Sequence, residues 1–517
     1  MTSTERKSQS STIETLQSLV VAFVLAMVFR GFVVEGFVIP TGSMAPTLLG
    51  QHLLMHSDQT GQDFAVGFAA RISTSPDRFS DPLLGRKIPL SRSQAKKIQP
   101  RGGDRVVVLK TLFPFFDPER YDVIVFKNPT DTQGQSANYI KRLIGLPGET
   151  LWIADGDIFA KRGNAPFSIQ RKPEHIQKSL WSTVSNSDAI PTDALGLTRS
   201  WAPPWKGNPN SSWTFANRIW SCSSSEVSTL EWDQNKILID DWIPYNMLMP
   251  VVRQEPMSDI RVSATLTPVA NTLTAGFTLE ANGMRFAWLL SSNNASLVLL
   301  SIGGDIIQYV EIPCKGLEAG EPLRAEFWHV DQMMSMYVNG EKVGELLYDF
   351  GPEQRLRLAT GSEPSVPIED IAGRGGKPAK LIWRFEGSPL NITRLQVDHD
   401  LYYRSSRLPS RATKNPTSAG NEKIVEIGSP AFGTHPDKLA VLHEDQFMMA
   451  GDNSAYSLDG RLWGNPDEFV AAQFDDSPFV VHRNLLIGKA WSVYWPAVNK
   501  LGPLPIIPDF GRVRFIR

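Results

Sequence analysis

The sequence predicts a mostly β protein: a β-rich unit interrupted by a β-sandwich, behind one N-terminal transmembrane helix. Three observations predict it. Short β-branched runs bounded by turn residues recur from Asp104 onward, as in DRVVVLK and YDVIVFKNP. Three tight-turn pairs, Asn282-Gly283, Gly303-Gly304 and Asn339-Gly340, lie between alternating apolar and polar runs, the pattern of a sandwich or barrel. Near the start, residues 16–29 read LQSLVVAFVLAMVF without a charge.

Composition narrows the class. At 517 residues the chain exceeds one ordinary core and implies two to four domains. With 42 % apolar and 21 % charged residues it has the balance of a folded protein, not a disordered one. A net charge of −2 supplies no electrostatic pull toward nucleic acid, so no nucleic-acid partner is expected. The two cysteines, Cys222 and Cys314, have no metal-ligand spacing around them, and neither metal nor cofactor is expected. They are expected either to pair in an oxidising compartment or to stand as separate buried thiols.

The elements follow in order. The uncharged run is short for a bilayer span of about 20 residues. Apolar character resumes after Arg30 as GFVVEGFVI, so the anchor is drawn over 15–36, with Arg30 and Glu35 at the outer interface. No small-residue cleavage site follows, which favours a retained anchor over a removed leader. PTGSMAPTLLG is a loop leaving it, and 51–103 reads as a loop-rich insertion. The stretch 104–162 is β-rich and contains a hairpin turned by Asp155-Gly156. Composition then shifts: 163–425 is an insertion holding a β-sandwich at about 240–400, and the β-rich texture returns over 426–517. S-x-x-K at Ser93–Lys96 has no KTG or SDN partner and carries no function.

Four stretches bear chemistry: FVIPTGSMAPT (37–47), YDVIVFKNP (121–129), YIKRLIGLPGE (139–149) and GDNSAYSLDGRLWG (451–464). Together, and in this order, they resemble the conserved boxes of type I signal peptidases, over roughly 180 residues. LRAEFWHVDQMMSMYVNGEKVGEL resembles a strand pair of concanavalin-like, laminin G-type jelly rolls. The resemblance implies a signal-peptidase-type catalytic domain in two parts, 37–162 and 426–517, a cytoplasmic tail over 1–14, and an inserted jelly roll. It implies a single-pass protein of the cell (inner) membrane with its catalytic domain on the extracytoplasmic side. It also implies a serine endopeptidase that cleaves the signal peptides of secretory preproteins after small residues at −1 and −3.

The residues admit that chemistry. A serine hydroxyl is a poor nucleophile until a base takes its proton. Ser43, in a Gly-Ser-Met turn between Pro40 and Pro46, is the expected nucleophile. Lys141 is the expected base, because burial among Tyr139, Ile140, Leu143 and Ile144 would lower its pKa. Arg142 should point to the opposite face of the strand. The resemblance places Thr41 and the Ser43 N–H in the oxyanion hole. It has Ser457 orient the lysine amine, an Asp459–Arg461 ion pair brace the loop, and Gly451, Asp452 and Asn453 form its turn. Gly460, and Ser454-Ala455-Tyr456, depart from the usual pattern. The substrate is expected as an added strand along Asp122, Val123, Ile124, Val125 and Phe126 and beside Tyr139 and Ile140. The lipid bilayer is an expected partner, and the sandwich is expected to take a carbohydrate or protein ligand or to be a spacer. The competing reading is a membrane-tethered binding protein that works through the sandwich and carries an inactive peptidase remnant.

Overall fold

The computed structural model describes residues 3–28, 34–68, 79–85, 88, 98, 100–110, 112–113, 115–131, 138–191, 201–496, 498–499, 507–508 and 510–517. Ser93–Lys96 and most of 69–99 lie outside the described residues.

The N-terminal helix runs Ser3–Val28, and the chain is already in a β-strand at Val34–Val38. This corrects the anchor drawn over 15–36. Val34 to Val38 pair in register with Leu109 to Arg105, and Glu35 makes an ion pair of 3.0 Å with Lys110. The uncharged helical run 16–28 is 13 residues, about 20 Å of helix against about 30 Å of hydrocarbon. Among the described residues no helix is long and apolar enough to cross a membrane.

The sheet shared by the first and last parts of the chain has the strand order Val34–Val38, Arg105–Leu109, Leu486–Trp495, Val123–Lys127, Asn138–Gly145, Gln446–Ala450, Val481–His482, with Arg514–Phe515 also on Leu486–Trp495. Its central strand reads VIVF because both faces are covered. Val123 and Val125 join one core with Ile39, Met44, Leu48 and Ile140. Ile124 and Phe126 alternate into a second core with Leu143, Met449 and Trp463. A smaller sheet carries the Asp155-Gly156 hairpin, with φ of 49° and 86° at its two turn residues. The stretch 51–103 is less irregular than expected: His52–Ser57 and Gln62–Gly67 form a hairpin whose apolar face packs in a local core.

The insertion is a two-sheet sandwich that begins well before residue 240. One sheet is ordered Trp213–Ala216, Ile219–Cys222, Leu390–His399, Ile260–Pro268, Leu323–Val330, Met333–Val338, Glu341–Leu347, with Ser182–Asn186 also on Leu390–His399. The other is ordered Trp205–Asn208, Ser228–Trp232, Lys380–Glu386, Thr274–Ala281, Met284–Leu290, Asn294–Ser301, Ile306–Pro313. The early strands are short and Trp-rich, so period-2 alternation hardly develops in them. Trp205, Trp213, Trp220 and Trp232 nevertheless enter the same core as Phe277, Trp288, Phe327 and Trp383. Strands from both ends of the insertion pair with each other, so the chain enters and leaves the sandwich at one end. Cys222 and Cys314 are both free thiols.

That end is fastened to the rest of the chain by buried charge. Arg355 lies 2.8 Å from Asp155, 3.1 Å from Asp259 and 3.3 Å from Asp157. Lys172 bridges Asp331 at 2.5 Å and Asp400 at 2.8 Å. Asp155 occupies the hairpin turn of the smaller sheet, outside the insertion, whereas Asp259 and Asp331 flank sandwich strands. The Arg355 pairs with Asp155 and Asp157 therefore cross the junction, and the Lys172 pairs tie the entering chain to the sandwich.

Candidate functional site

Ser43 sits in a single 3-10 turn, Gly42–Met44, entered from an exposed Thr41 in extended conformation. The turn is anchored from below by Met44, which is fully buried, and by Asp104, whose carboxylate accepts the Leu49 N–H at 2.9 Å. Lys141 projects from the strand Asn138–Gly145 and its Nζ reaches Ser43 Oγ at 2.6 Å. The same amine donates to Ile140 O at 3.2 Å, and the Tyr139 ring centroid lies 5.6 Å away. The amine is sealed from solvent, with Lys141 only 2 % exposed. Burial drives its pKa down from 10.5 to about 8, against the upward pull of Asp459 and Asp452.

Those two carboxylates have partners of their own. Arg142, on the strand face opposite Lys141, grips Asp452 with two hydrogen bonds of 2.8 and 2.7 Å, fully buried. Asp452 also accepts from Thr47 Oγ1 at 2.5 Å, which ties the turn after Ser43 to the third box. Asp459 is held by Arg461 through bonds of 2.9 and 2.7 Å and accepts the Gly451 N–H at 2.9 Å. Burial alone would raise the Asp459 pKa, but Arg461 and these donors hold it below the usual value. The pull of each carboxylate on Lys141 is thus largely neutralised, and desolvation prevails.

Gly451 is a matter of space. A Cβ there would lie 2.1 Å from Ser457 Oγ and 2.5 Å from Ser43 O, so only glycine lets the third box lie against the serine turn. Asn453 then takes hold of that turn: its backbone N–H donates to Ser43 O at 3.0 Å and its Nδ2 to Gly42 O at 3.0 Å.

Two expectations are corrected. Ser457 is buried, but the hydrogen bonds of the Lys141 amine go to Ser43 Oγ and Ile140 O, so in this conformation Ser457 does not hold it. The substrate-pairing segment is also different. Val123–Lys127 is an interior strand, bonded to Asn138–Gly145 on one side and Leu486–Trp495 on the other. A strand has two edges, so Asp122, Val123, Ile124, Val125 and Phe126 offer no backbone to a further strand. Tyr139 and Ile140 differ. Their strand pairs with Gln446–Ala450 only from Arg142 onward, which leaves the edge of 138–141 without a partner strand among the described residues, beside Ser43. Residues that sequence reasoning left without a role are Arg142, Thr47, Tyr245 and Asn246. The last two come from the insertion and carry no motif.

Comparison with known proteins fits this geometry. Residues 12–195 match the family profile described as signal peptidase, peptidase S26. The S26 match includes Ser43 and Lys141 and stops before the 451–461 loop. Signal peptidase I of Rickettsia bellii is 28 % identical over 158 residues, 31 % of this chain and 43 % of that protein. Signal peptidase I of Pseudomonas aeruginosa is 32 % identical over 128 residues, 25 % and 30 % of the two chains. That of Buchnera aphidicola is 30 % identical over 194 residues, 35 % and 48 %. The chain thus spans less than half the length of these curated S26 relatives. Among solved structures, the Bacillus subtilis carbohydrate-binding module CBM66 aligns with 38 % of this chain and 95 % of its own at 6 % identity and a TM-score of 0.24. Sheep galectin-11 aligns with 28 % and 92 % at 9 % identity and a TM-score of 0.19. Likeness at that level bears on no functional point.

Proposed function

We propose that this chain is a membrane-associated endopeptidase of the type I signal peptidase kind, with Ser43 as nucleophile and Lys141 as general base. The observation that carries the proposal is the 2.6 Å contact between the Ser43 hydroxyl and a buried amine whose pKa lies near 8. An amine so shifted is neutral in an appreciable fraction of molecules near neutral pH, and its lone pair then accepts the Ser43 proton.

The chemistry follows. Lys141 Nζ takes the Ser43 proton as Oγ bonds to the scissile carbonyl carbon. The carbonyl π pair moves onto oxygen, where the Ser43 N–H and the Thr41 hydroxyl receive it. Collapse breaks the C–N bond, and the leaving amine takes the proton from the Lys141 ammonium. Lys141 next deprotonates a water that attacks the acyl ester, and Ser43 leaves with the returned proton. The peptide lies along the open edge of 138–141 as an added strand, which sets its scissile bond beside Ser43. The substrates are signal peptides of exported preproteins, cut after small residues at −1 and −3.

Two surfaces support membrane association. Leu16, Leu19, Phe23 and Leu25 of the N-terminal helix are exposed apolar side chains. Val38, Trp491, Tyr494, Val513 and Phe515 form a second exposed apolar group on the sheet that this helix leads into. A bilayer would cover both and set the catalytic part at its extracytoplasmic face. A formed dyad favours an enzyme over a binding protein with a peptidase remnant. The test is cleavage of a preprotein by Ser43→Ala and Lys141→Ala in the full chain: both should lose activity, and wild-type cutting by either overturns the assignment.

A further inference from the structure

The insertion does not stand apart from the serine turn. Between its strands Ser228–Trp232 and Ile260–Pro268, a strap at 243–250 lies across the first box. Ile243 and Tyr245 bury themselves with Ala45 and Leu49, and Leu248 with Leu53, Met55 and Phe64. The Tyr245 ring packs closely against Gly42: a Cβ on Gly42 would sit 2.0 Å from Tyr245 Cε1, and one on Gly67 2.5 Å from the same atom. Its hydroxyl donates to Gln51 O at 2.9 Å. Gly42 is therefore glycine because a ring from the insertion occupies its side-chain space.

Asn246 completes the contact. Its Nδ2 donates to Asn453 Oδ1 at 2.9 Å, and its Oδ1 accepts from Asn453 Nδ2 at 2.8 Å. Both amides are buried. The second hydrogen of Asn453 Nδ2 goes to Gly42 O, a pure acceptor that sets which way the Asn453 amide faces, and the pair with Asn246 holds the side chain there. A peptide unit is planar and trans, so holding Gly42 O points the N–H of Ser43 the opposite way.

We propose that Asn246 and Tyr245 of the insertion are positioning residues of the peptidase: they fix the Gly42–Ser43 peptide plane and so aim the Ser43 N–H at the developing oxyanion. The proposal rests on the Ser43–Lys141 reading given above. It makes the inserted unit part of the catalytic apparatus, not only a spacer or a separate binding module. Without Asn246 the Asn453 side chain loses the two bonds that hold it in place and can swing away from Gly42 O, which leaves the peptide plane only the Ala45 N–H bond of 3.1 Å.

The experiment uses the full chain in detergent with a signal-peptide substrate. Oxyanion donors act on the transition state, so Asn246→Ala should lower kcat about 10- to 100-fold with KM within about two-fold of wild type. A substrate-derived peptide aldehyde, which forms a tetrahedral adduct on Ser43, should weaken by the same factor as kcat/KM, while the cleaved product peptide binds as before. The acid limb of the pH profile should not move, because Asn246 does not touch Lys141. Tyr245→Phe, which keeps the ring on Gly42, should retain kcat within about three-fold. Should Asn246→Ala fail to fold, Asn246→Ser carries the same test. Wild-type kcat in the Asn246 variant overturns the inference, as does a loss confined to KM or shared equally by aldehyde and product peptide. If Ser43→Ala also cuts normally, the peptidase reading has failed; if Ser43→Ala is dead and Asn246→Ala is fully active, only this inference has.

Discussion

Lys141→Met separates the two consequences of burying an amine. Methionine approximates the lysine stem and removes the charge, so the variant should lose cleavage and gain stability. The magnitude comes from the pKa. It falls from 10.5 to about 8 on folding, and at about 1.4 kcal/mol per unit the shift costs the folded wild type about 3 kcal/mol while the amine is protonated in both states. The sign is as follows. Below about pH 8 both states carry the proton and the cost is full. Between about 8 and 10.5 the unfolded chain binds more protons than the folded one, so wild-type stability rises with pH. Above 10.5 both are neutral and the cost vanishes. Urea unfolding of both proteins at pH 6, 7, 9 and 10.5 should show the variant ahead by about 3 kcal/mol at pH 6 and 7, the gap closing to under about 1 kcal/mol at pH 10.5. Equal stabilities at pH 6, or a gap that ignores pH, would refute the claim that desolvation tunes this lysine.

Other outcomes follow from the same geometry. The value of kcat/KM should rise with pH through one ionisation near 8 and then level off, because only neutral Lys141 accepts the Ser43 proton; a steady-state profile from pH 6 to 10 checks it. Arg142→Ala leaves Asp452 buried without its partner, so thermal or urea unfolding should register a loss of about 3–5 kcal/mol together with lost activity. Arg355→Ala should weaken the junction by a similar about 3–5 kcal/mol, since Asp155, Asp157 and Asp259 then face one another without their guanidinium; limited proteolysis near residues 163–181 should accelerate in step.

The juxtaposition of Ser43 and Lys141 was legible because it rests on short, contiguous residue patterns. Pro-Thr-Gly-Ser-Met declares a rigid turn with one hydroxyl, and a lysine inside a run of apolar strand residues declares an amine that will be desolvated. The separation of 98 residues between Ser43 and Lys141 did not hide them, because each lies in its own dense motif. The anchor was drawn too long because GFVVEGFV is as apolar as a span. What ends it is the pairing of Val34–Val38 with Arg105–Leu109, a tertiary fact. Substrate pairing along Val123–Lys127 was misplaced for the same reason: a strand's own residues do not say which of its edges are already taken.

The strap at 243–250 was illegible for a deeper reason. Its PYN triplet has no periodicity, charge pattern or catalytic residue type, and Asn246 meets Asn453 across 207 positions of sequence. The only trace it leaves is indirect, in glycines that need no unusual backbone angle. Gly42 is not in the left-handed region, so its identity cannot be a demand of the turn itself; it reports an approaching ring. Gly451 likewise reports the approach of Ser457 and Ser43. A serine turn whose glycine is set by an inserted unit is coupled to that unit's placement, and the buried ion pairs of Arg355 with Asp155 and Asp157 fix that placement. Loosening the junction should therefore reach Ser43 through Tyr245 before it reaches Lys141, whose contacts all lie within the catalytic part.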